Sequence, residues 1–384
     1  KEEKQRHLEE AARKKREEEE REKKEEEERQ KKLAIEVKQR EAEAKLKAQK
    51  DKEEAEAKAK ADATAKAKQA AEKIKEAAIA EAEAKKTGKG ITNFTMVEKD
   101  FLAYKKTIAE IKLDIVEPLL ANKELKSACY KLRRQINPKF GQLNNSLTQL
   151  AAITEVVTTA VSQAKQANEL AFKWILNYIA KAIVVQAGTE VVTAPDRAVP
   201  LSKLALNLTV MFPELRHYLL ARFVKKCPLV IGYTCAVDTE EGRLRMAWKR
   251  SSAGKWEEET QYNERIGGIF TVFAVLTRLQ LQPNQPQGVF PYPMALGWTM
   301  MARILNMPAD LLANVHYLAA SNWWDAAAEE FLKAYGRQGQ KLLQLMWDEW
   351  TLRAREREFA GAARLRIVGE AWANSGRVES FKPM

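Results

Sequence analysis

The chain has 384 residues, 65 Lys and Arg against 53 Asp and Glu for a net charge of +12, and only three cysteines. That length provides for two or three domains, and Cys129, Cys227 and Cys235 have no paired spacing, which excludes a disulfide scaffold and a zinc site and fits a reducing compartment. The longest apolar run, about 12 residues from Ile266 to Thr277, is too short to cross a bilayer and reads as a buried core helix, so a soluble intracellular protein with no membrane partner is expected.

The first 86 residues hold 27 cations and 25 anions and no Gly, Pro, Phe, Tyr or Trp. Glu precedes a cation by four residues repeatedly, as in Glu9–Arg13, Glu17–Arg21 and Glu28–Lys32, an arrangement that stabilises a helix in water. Leu8, Leu33, Ile35, Val37, Leu46, Ile74 and Ile79 are too sparse and out of phase for a coiled-coil seam. A solvated, coiled-coil-like single helix is therefore expected over 1–86, and Gly88 and Gly90 place a hinge at 87–93. Lys14-Lys15-Arg16 belongs to this charged array rather than to a localisation signal.

From residue 94 to 384 the apolar residues recur at helical period with little alternation. Helices are predicted near 97–117, 122–135, 146–166, 168–187, 202–211, 214–226, 260–281, 294–306, 309–320, 323–334, 338–349 and 356–369. Breaks fall at Asn137-Pro138, Met211-Phe212-Pro213 and Asn306-Met307-Pro308, with surface loops over 238–259 and 283–293. So many short-linked helices in one unit point to an all-α, HEAT/MIF4G-like helical-repeat domain, although no fixed repeat is visible. This domain holds nearly all of the net positive charge, so an acidic partner, a phosphorylated small molecule or nucleic acid is expected to meet it.

The helix predicted at 214–226 ends unusually. Leu215, Tyr218 and Leu219 mark an apolar face, and Arg222, Lys225 and Lys226, at i, i+3 and i+4, carry the same stripe into cations. Cations near a helix C-terminus complement the macrodipole, and Pro228 stops the helix; a socket for a densely anionic ligand is the other reading. No catalytic motif competes with it. Thr87-Gly88-Lys89-Gly90 and Gly254-Lys255-Trp256 lack the glycine and hydroxyl of a P-loop, and His217 and His316 stand singly. Cys227 follows a helix C-terminus, where the dipole opposes a thiolate, so no enzyme is expected. Trp298, Trp323, Trp324, Trp347, Trp350 and Trp372 read mainly as core, with a peptide-anchoring groove as the lesser reading. The Asn-x-Ser/Thr triplets at Asn93, Asn144 and Asn207 are chance matches in an intracellular chain.

Two stretches, Lys131-Leu-Arg-Arg-Gln-Ile-Asn-Pro-Lys-Phe-Gly-Gln-Leu143 and Ala221-Arg-Phe-Val-Lys-Lys-Cys-Pro-Leu-Val-Ile-Gly-Tyr233, resemble the C-terminal domain of the GLE-one family of nuclear-pore mRNA export factors. The order of charged helix, hinge and all-helical domain is also similar. The resemblance implies a non-enzymatic factor at the cytoplasmic face of the nuclear pore that binds and stimulates a DEAD-box RNA helicase. It further implies inositol hexakisphosphate as a tether between the two, with no metal. Carried over residue by residue, the ligand set is Arg222, Lys225 and Lys226 from one motif and Arg134 from the other, with Lys112 and Lys181 placed by position along the helices. A small FG nucleoporin and translation initiation and termination factors are further implied partners, with little direct RNA binding. The rival reading is a MIF4G-like scaffold that uses its basic surface directly on RNA or translation factors.

Overall fold

The computed structural model describes residues 10, 13, 14, 16–33, 35, 40, 49, 92, 94–281, 290–382 and 384. The chain divides into two compact units, Lys1–Thr87 and Gly88–Met384. In the first unit the described residues, from Glu10 to Gln49, are all helical and exposed. Arg13–Glu17 and Arg21–Glu25 pair at 3.5 and 3.8 Å, cation first, the reverse of the order emphasised in the sequence. The remainder of 1–86, and the hinge 87–93 apart from Thr92, lie outside the described residues.

The second unit is all-α; among the described residues there is no strand, and one isolated bridge joins Arg250 to Trp256. Its helices are α1 (Phe94–Glu110), followed by a π-turn (Ile111–Val116), α2 (Glu117–Ala121), α3 (Lys123–Phe140), α4 (Leu147–Ala167), α5 (Glu169–Ala187), α6 (Ala198–Met211), α7 (Leu215–Lys226), α8 (Glu240–Arg245), α9 (Glu259–Arg278), α10 (Met294–Leu305), α11 (Asn314–Gln344) and α12 (Ala360–Ser375). Neighbours in sequence pack as neighbours in space, α3 on α4, α4 on α5 and α11 on α12, as in a HEAT/MIF4G-like stack. Asn122, Ser146 and Asn168 cap α3, α4 and α5 by accepting N–H bonds from the first turn, which explains why these helices start there.

The stack is organised around α9. Every residue from Arg265 to Arg278 is buried, as a helix apolar on all sides requires. α9 touches α5, α6, α7, α10 and α11. The two arginines that bound this stretch are not left uncompensated: Arg265 pairs with Glu257 and Arg278 with Glu330. Gly267 and Gly268 sit mid-helix because nothing larger fits. A Cβ on Gly268 would stand 2.3 Å from the Ala187 carbonyl oxygen, and one on Gly267 2.7 Å from Asn322 Nδ2. α5, together with the turn after it, is apolar and long enough to cross a membrane, a feature the search for the longest uninterrupted run missed. Here it supplies eleven buried residues to the core against α3, α4 and α7.

Several boundaries differ from expectation. α3 runs through Asn137-Pro138 to Phe140, because Pro138 falls in the last turn, where few later carbonyl partners are lost, and buried Ile136 and Phe140 hold the end. The helices expected at 309–320 and 323–334 are one: only a tight turn forms at Ala309–Leu311, and α11 then runs continuously past Asn322. Its kink comes at Gly336, with φ +49°, where the sequence placed the next break. The predicted loop 238–259 is built rather than loose. Trp248 stacks on Tyr262 at 4.1 Å, the Arg243 guanidinium lies over both Trp248 and Trp256, and Arg250 lies over Trp256. Trp323, Trp324 and Trp350 are core, and Trp298, Trp347 and Trp372 pack on it.

His316 is enclosed, with Nδ1 3.0 Å from the Ala313 N–H and Nε2 3.0 Å from Thr234 Oγ1. Burial pushes its pKa down to about 4, from 6.5. A folded-state value below the unfolded one means that stability present above pH 6.5 is lost as pH falls towards 4. Chemical denaturation at stepped pH is expected to show this slope, and His316→Gln to flatten it; an equal slope in the variant refutes the assignment. Gly268→Ala is expected to cost about 1–3 kcal/mol by overpacking, against the roughly 1 kcal/mol that Ala gains in an open helix. A denaturation midpoint that rises in this variant would show that the contact with Ala187 yields.

Candidate functional site

α7 is held on more than one side. Leu215, Leu219, Phe223 and Val224 are all within 1% of complete burial, and α7 packs on both α1 and α5. Its last turn is therefore fixed in place, with Arg222 and Lys226 half-buried and Lys225 exposed. Arg222 is half-buried and anchored from α5: its Nε and Nη2 donate to Asn177 Oδ1 at 3.1 and 2.6 Å. Asn177 is itself 5% exposed inside an apolar helix, a polar group buried so that it can receive this guanidinium.

Arg222 and Lys181 line an open cleft of about 410 Å³ between α3 and α5. Its wall is a row of rings, Tyr130, Trp174 and Tyr178, with centroids 5.7 and 5.8 Å apart. Arg133 lies over Tyr130 and Tyr178, which fixes a further cation in this cleft. Tyr178 donates its hydroxyl to Asn137 and so ties α5 to α3.

Lys225 and Lys226 stand at the next position along α7 and border an adjoining cleft. Burial lowers the Lys225 pKa, and the positive charges of Arg222 and Lys181 lower it further. For Lys226, burial and then Lys225, Arg265, Lys249 and Arg222 bring the value down to about 8. The cluster thus joins three parts of the chain: Lys181 on α5, the end of α7, and Lys249 from the 238–259 loop. Among the described residues no carboxylate pairs with Lys181, Arg222, Lys225 or Lys226, whereas Lys249 feels Glu257, which accepts its backbone N–H at 2.6 Å. Since anions at a helix C-terminus are disfavoured by the macrodipole, only these side chains attract one there. After allowance for solvent on the open side, the displaced Lys226 equilibrium stores on the order of 1–2 kcal/mol, which an anion would release.

Of the residues singled out in the sequence, Arg222, Lys225, Lys226 and Lys181 come together. Arg134 is exposed on α3 and does not line the cleft; its neighbour Arg133 does. Lys112 lies in the π-turn, exposed and paired with Glu117 at 3.6 Å. Arg133, Asn177 and Lys249 escaped the sequence reading. A lone Asn in an otherwise apolar helix was the one visible signal. Cys227 is fully buried and its thiol pushed up to about 12 by that burial, which leaves no thiolate for nucleophilic chemistry. Among the described residues no group of His, Cys, Asp and Glu could hold a metal ion.

Comparison with known proteins gives this cluster a context. The family model of GLE1-like proteins matches residues 106–347. The chain is 50% identical over 301 residues to mRNA export factor GLE1 of Saccharomyces cerevisiae, covering 78% of this chain and 56% of the relative. It is 35% identical over 291 residues to mRNA export factor gle1 of Schizosaccharomyces pombe, covering 72% and 57%. The chain thus spans little more than half the length of these relatives. Among solved structures, the fold is similar to that of Gle1 in its S. cerevisiae complex with a Dbp5 C-terminal domain and IP6. The TM-score is 0.74 and the identity 50%, covering 76% of this chain and 99% of that one. A second complex, with a Gle1 variant, matches equally well. With the family model covering most of the helical domain and the architecture shared, the chain belongs to the GLE1-like protein family.

Proposed function

We propose that this chain is a non-enzymatic mRNA export factor whose helical domain grips inositol hexakisphosphate and shares it with the C-terminal domain of a DEAD-box helicase. The observation that carries the proposal is the convergence of Lys181, Arg222, Lys225 and Lys226 without a carboxylate partner. An inositol polyphosphate concentrates many charges in a small volume, and each charge-assisted contact contributes roughly 1.5–3 kcal/mol. Arg133 and Lys249 join the ligand set, with Lys112 and Arg134 as outer contacts from the π-turn and α3. The Gle1 relative captured with Dbp5 and IP6 supports the same use of this domain.

In this reading the ligand acts as a tether: its phosphates neutralise two basic surfaces that would otherwise repel. Stimulation of the helicase, residence at the cytoplasmic face of the nuclear pore, docking of a small FG nucleoporin and contact with translation initiation and termination factors complete the proposal. The direct-RNA reading is disfavoured because the ring row of the first cleft is already occupied by Arg133.

Calorimetric titration of the 384-residue chain with inositol hexakisphosphate is expected to show binding that weakens by more than about tenfold in Arg222→Ala/Lys225→Ala/Lys226→Ala. Unchanged affinity in that variant removes the basis of the proposal. Tight binding of single-stranded RNA without helicase or polyphosphate, lost on Lys225→Glu/Lys226→Glu, favours the rival instead. Protonation gives a second check. Free Lys226 titrates at about 8 and a bound polyanion raises it towards 10.5, so between these values binding takes up a proton. Affinity accordingly falls as pH rises through about 8. Titrations in two buffers of different ionisation enthalpy measure that uptake at pH near 9, and its absence would falsify the placement of phosphate on Lys226.

A further inference from the structure

Beyond the tip of α7 a cleft of about 480 Å³ opens between α1, the end of α7 and segment 244–250. Its floor is apolar: Phe101 and Val224 are 3% and 1% exposed, and Trp248 is half-buried beside them. Leu244 stands at its border with 56% of its surface in water. Lys105, Lys225, Lys226 and Lys249 bring four amines to the lining, which contains no acid. Two further cations there are already neutralised, Arg245 by Glu98 and Arg250 by Glu240. The indole N–H of Trp248 is buried without an acceptor.

The occupant such a cleft accepts combines negative charge with one large apolar group. Nucleic acid fits poorly. Stacked bases need open ring faces, whereas Phe101 is stacked on Tyr233 at 4.0 Å. Trp248 is stacked on Tyr262, with the Arg243 guanidinium 5.5 Å from its centroid. Lys105, on α1, stands apart from the polyphosphate cluster, so the cations frame the floor from more than one side, which suits separate carboxylates. We propose that this cleft docks an acidic peptide segment of a partner protein, with a bulky apolar side chain between Val224, Leu244 and Trp248 and flanking carboxylates on Lys105, Lys226 and Lys249. The inference shares Lys226 and Lys249 with the polyphosphate reading and is distinguished from it by Lys105 and Leu244, which that reading does not use.

The test is fluorescence anisotropy with the whole chain and a labelled peptide, Glu-Asp-Glu-Phe-Asp-Glu-Asp, beside the same peptide with Ser for Phe and an oligouridylate. The Phe peptide is expected to bind, and the Ser peptide to bind about tenfold more weakly, the effect of removing one buried aromatic side chain. Leu244→Asp and Lys105→Glu, both at exposed positions, are each expected to weaken the Phe peptide by about tenfold. Leu244→Ser, which adds no charge beside Lys226 and Lys249, leaves inositol hexakisphosphate binding within about twofold, since that side chain lies outside the polyphosphate cluster. Three results overturn the proposal: no peptide binding up to about 1 mM, equal affinity for the Phe and Ser peptides, or oligouridylate binding more tightly than peptide and lost in the same variants.

Discussion

Positive charge held at a surface without its counter-charge is the constraint on which the functional part of this domain depends. Elsewhere the fold neutralises buried cations: Arg265 meets Glu257 and Arg278 meets Glu330. At the end of α7 it does not. Arg222 receives a neutral amide oxygen from Asn177 instead of a carboxylate, which orients the guanidinium and leaves its charge intact. Among the described residues no carboxylate pairs with Lys225 or Lys226. Where Arg265 and Arg278 are compensated, this cluster is left mutually repulsive, a cost in stability that an anion bound there would offset.

The core makes this possible. Loose lysines would simply swing apart and let solvent screen them. α7 is wedged between α1 and α5, and the 238–259 loop that brings Lys249 is stiffened by the alternating stack of Tyr262, Trp248, Arg243 and Trp256. That stack rises directly from α9, since Tyr262 and Arg265 belong to its first turns. The same arginine is therefore a core ion pair and one of the charges that depress Lys226. Packing and electrostatics meet at a single residue.

Local order in the sequence was enough to reveal the parts of this arrangement that one helix carries alone. The spacing of Leu215, Leu219, Arg222 and Lys226 shows that apolar face and cations share a stripe, and α7 is found where the pattern puts it. What sequence order could not convey is which residue faces the stripe from elsewhere. Asn177 lies 45 residues away and Lys249 sits in a segment with no periodicity at all. In the pair Arg133-Arg134, neighbours point to different sides of α3, and resemblance alone does not say which reaches the cleft. The expected break between 309–320 and 323–334 failed for a related reason: Ser321 and Asn322 look like punctuation, yet burial of Ser321 in a helix packed on α9 overrides their weak helix preference.

The two clefts that flank α7 make different demands on whatever fills them. One offers a cation row beside rings already occupied by Arg133; the other surrounds an apolar floor with scattered amines. Lys225 and Lys226 border the second directly and feel the first through Arg222 and, for Lys225, Lys181. A charge placed in either cleft consequently alters the field in the other. Because the intervening turn is packed rather than flexible, this influence travels through space instead of through a movement of the chain. An anion seated in the cluster offsets the repulsion that Lys225 and Lys226 feel and so favours their charged forms, while its own charge reduces the positive field in the second cleft. Lys226 borders the second cleft and also belongs to the polyphosphate cluster, so both terms act at the same side chain.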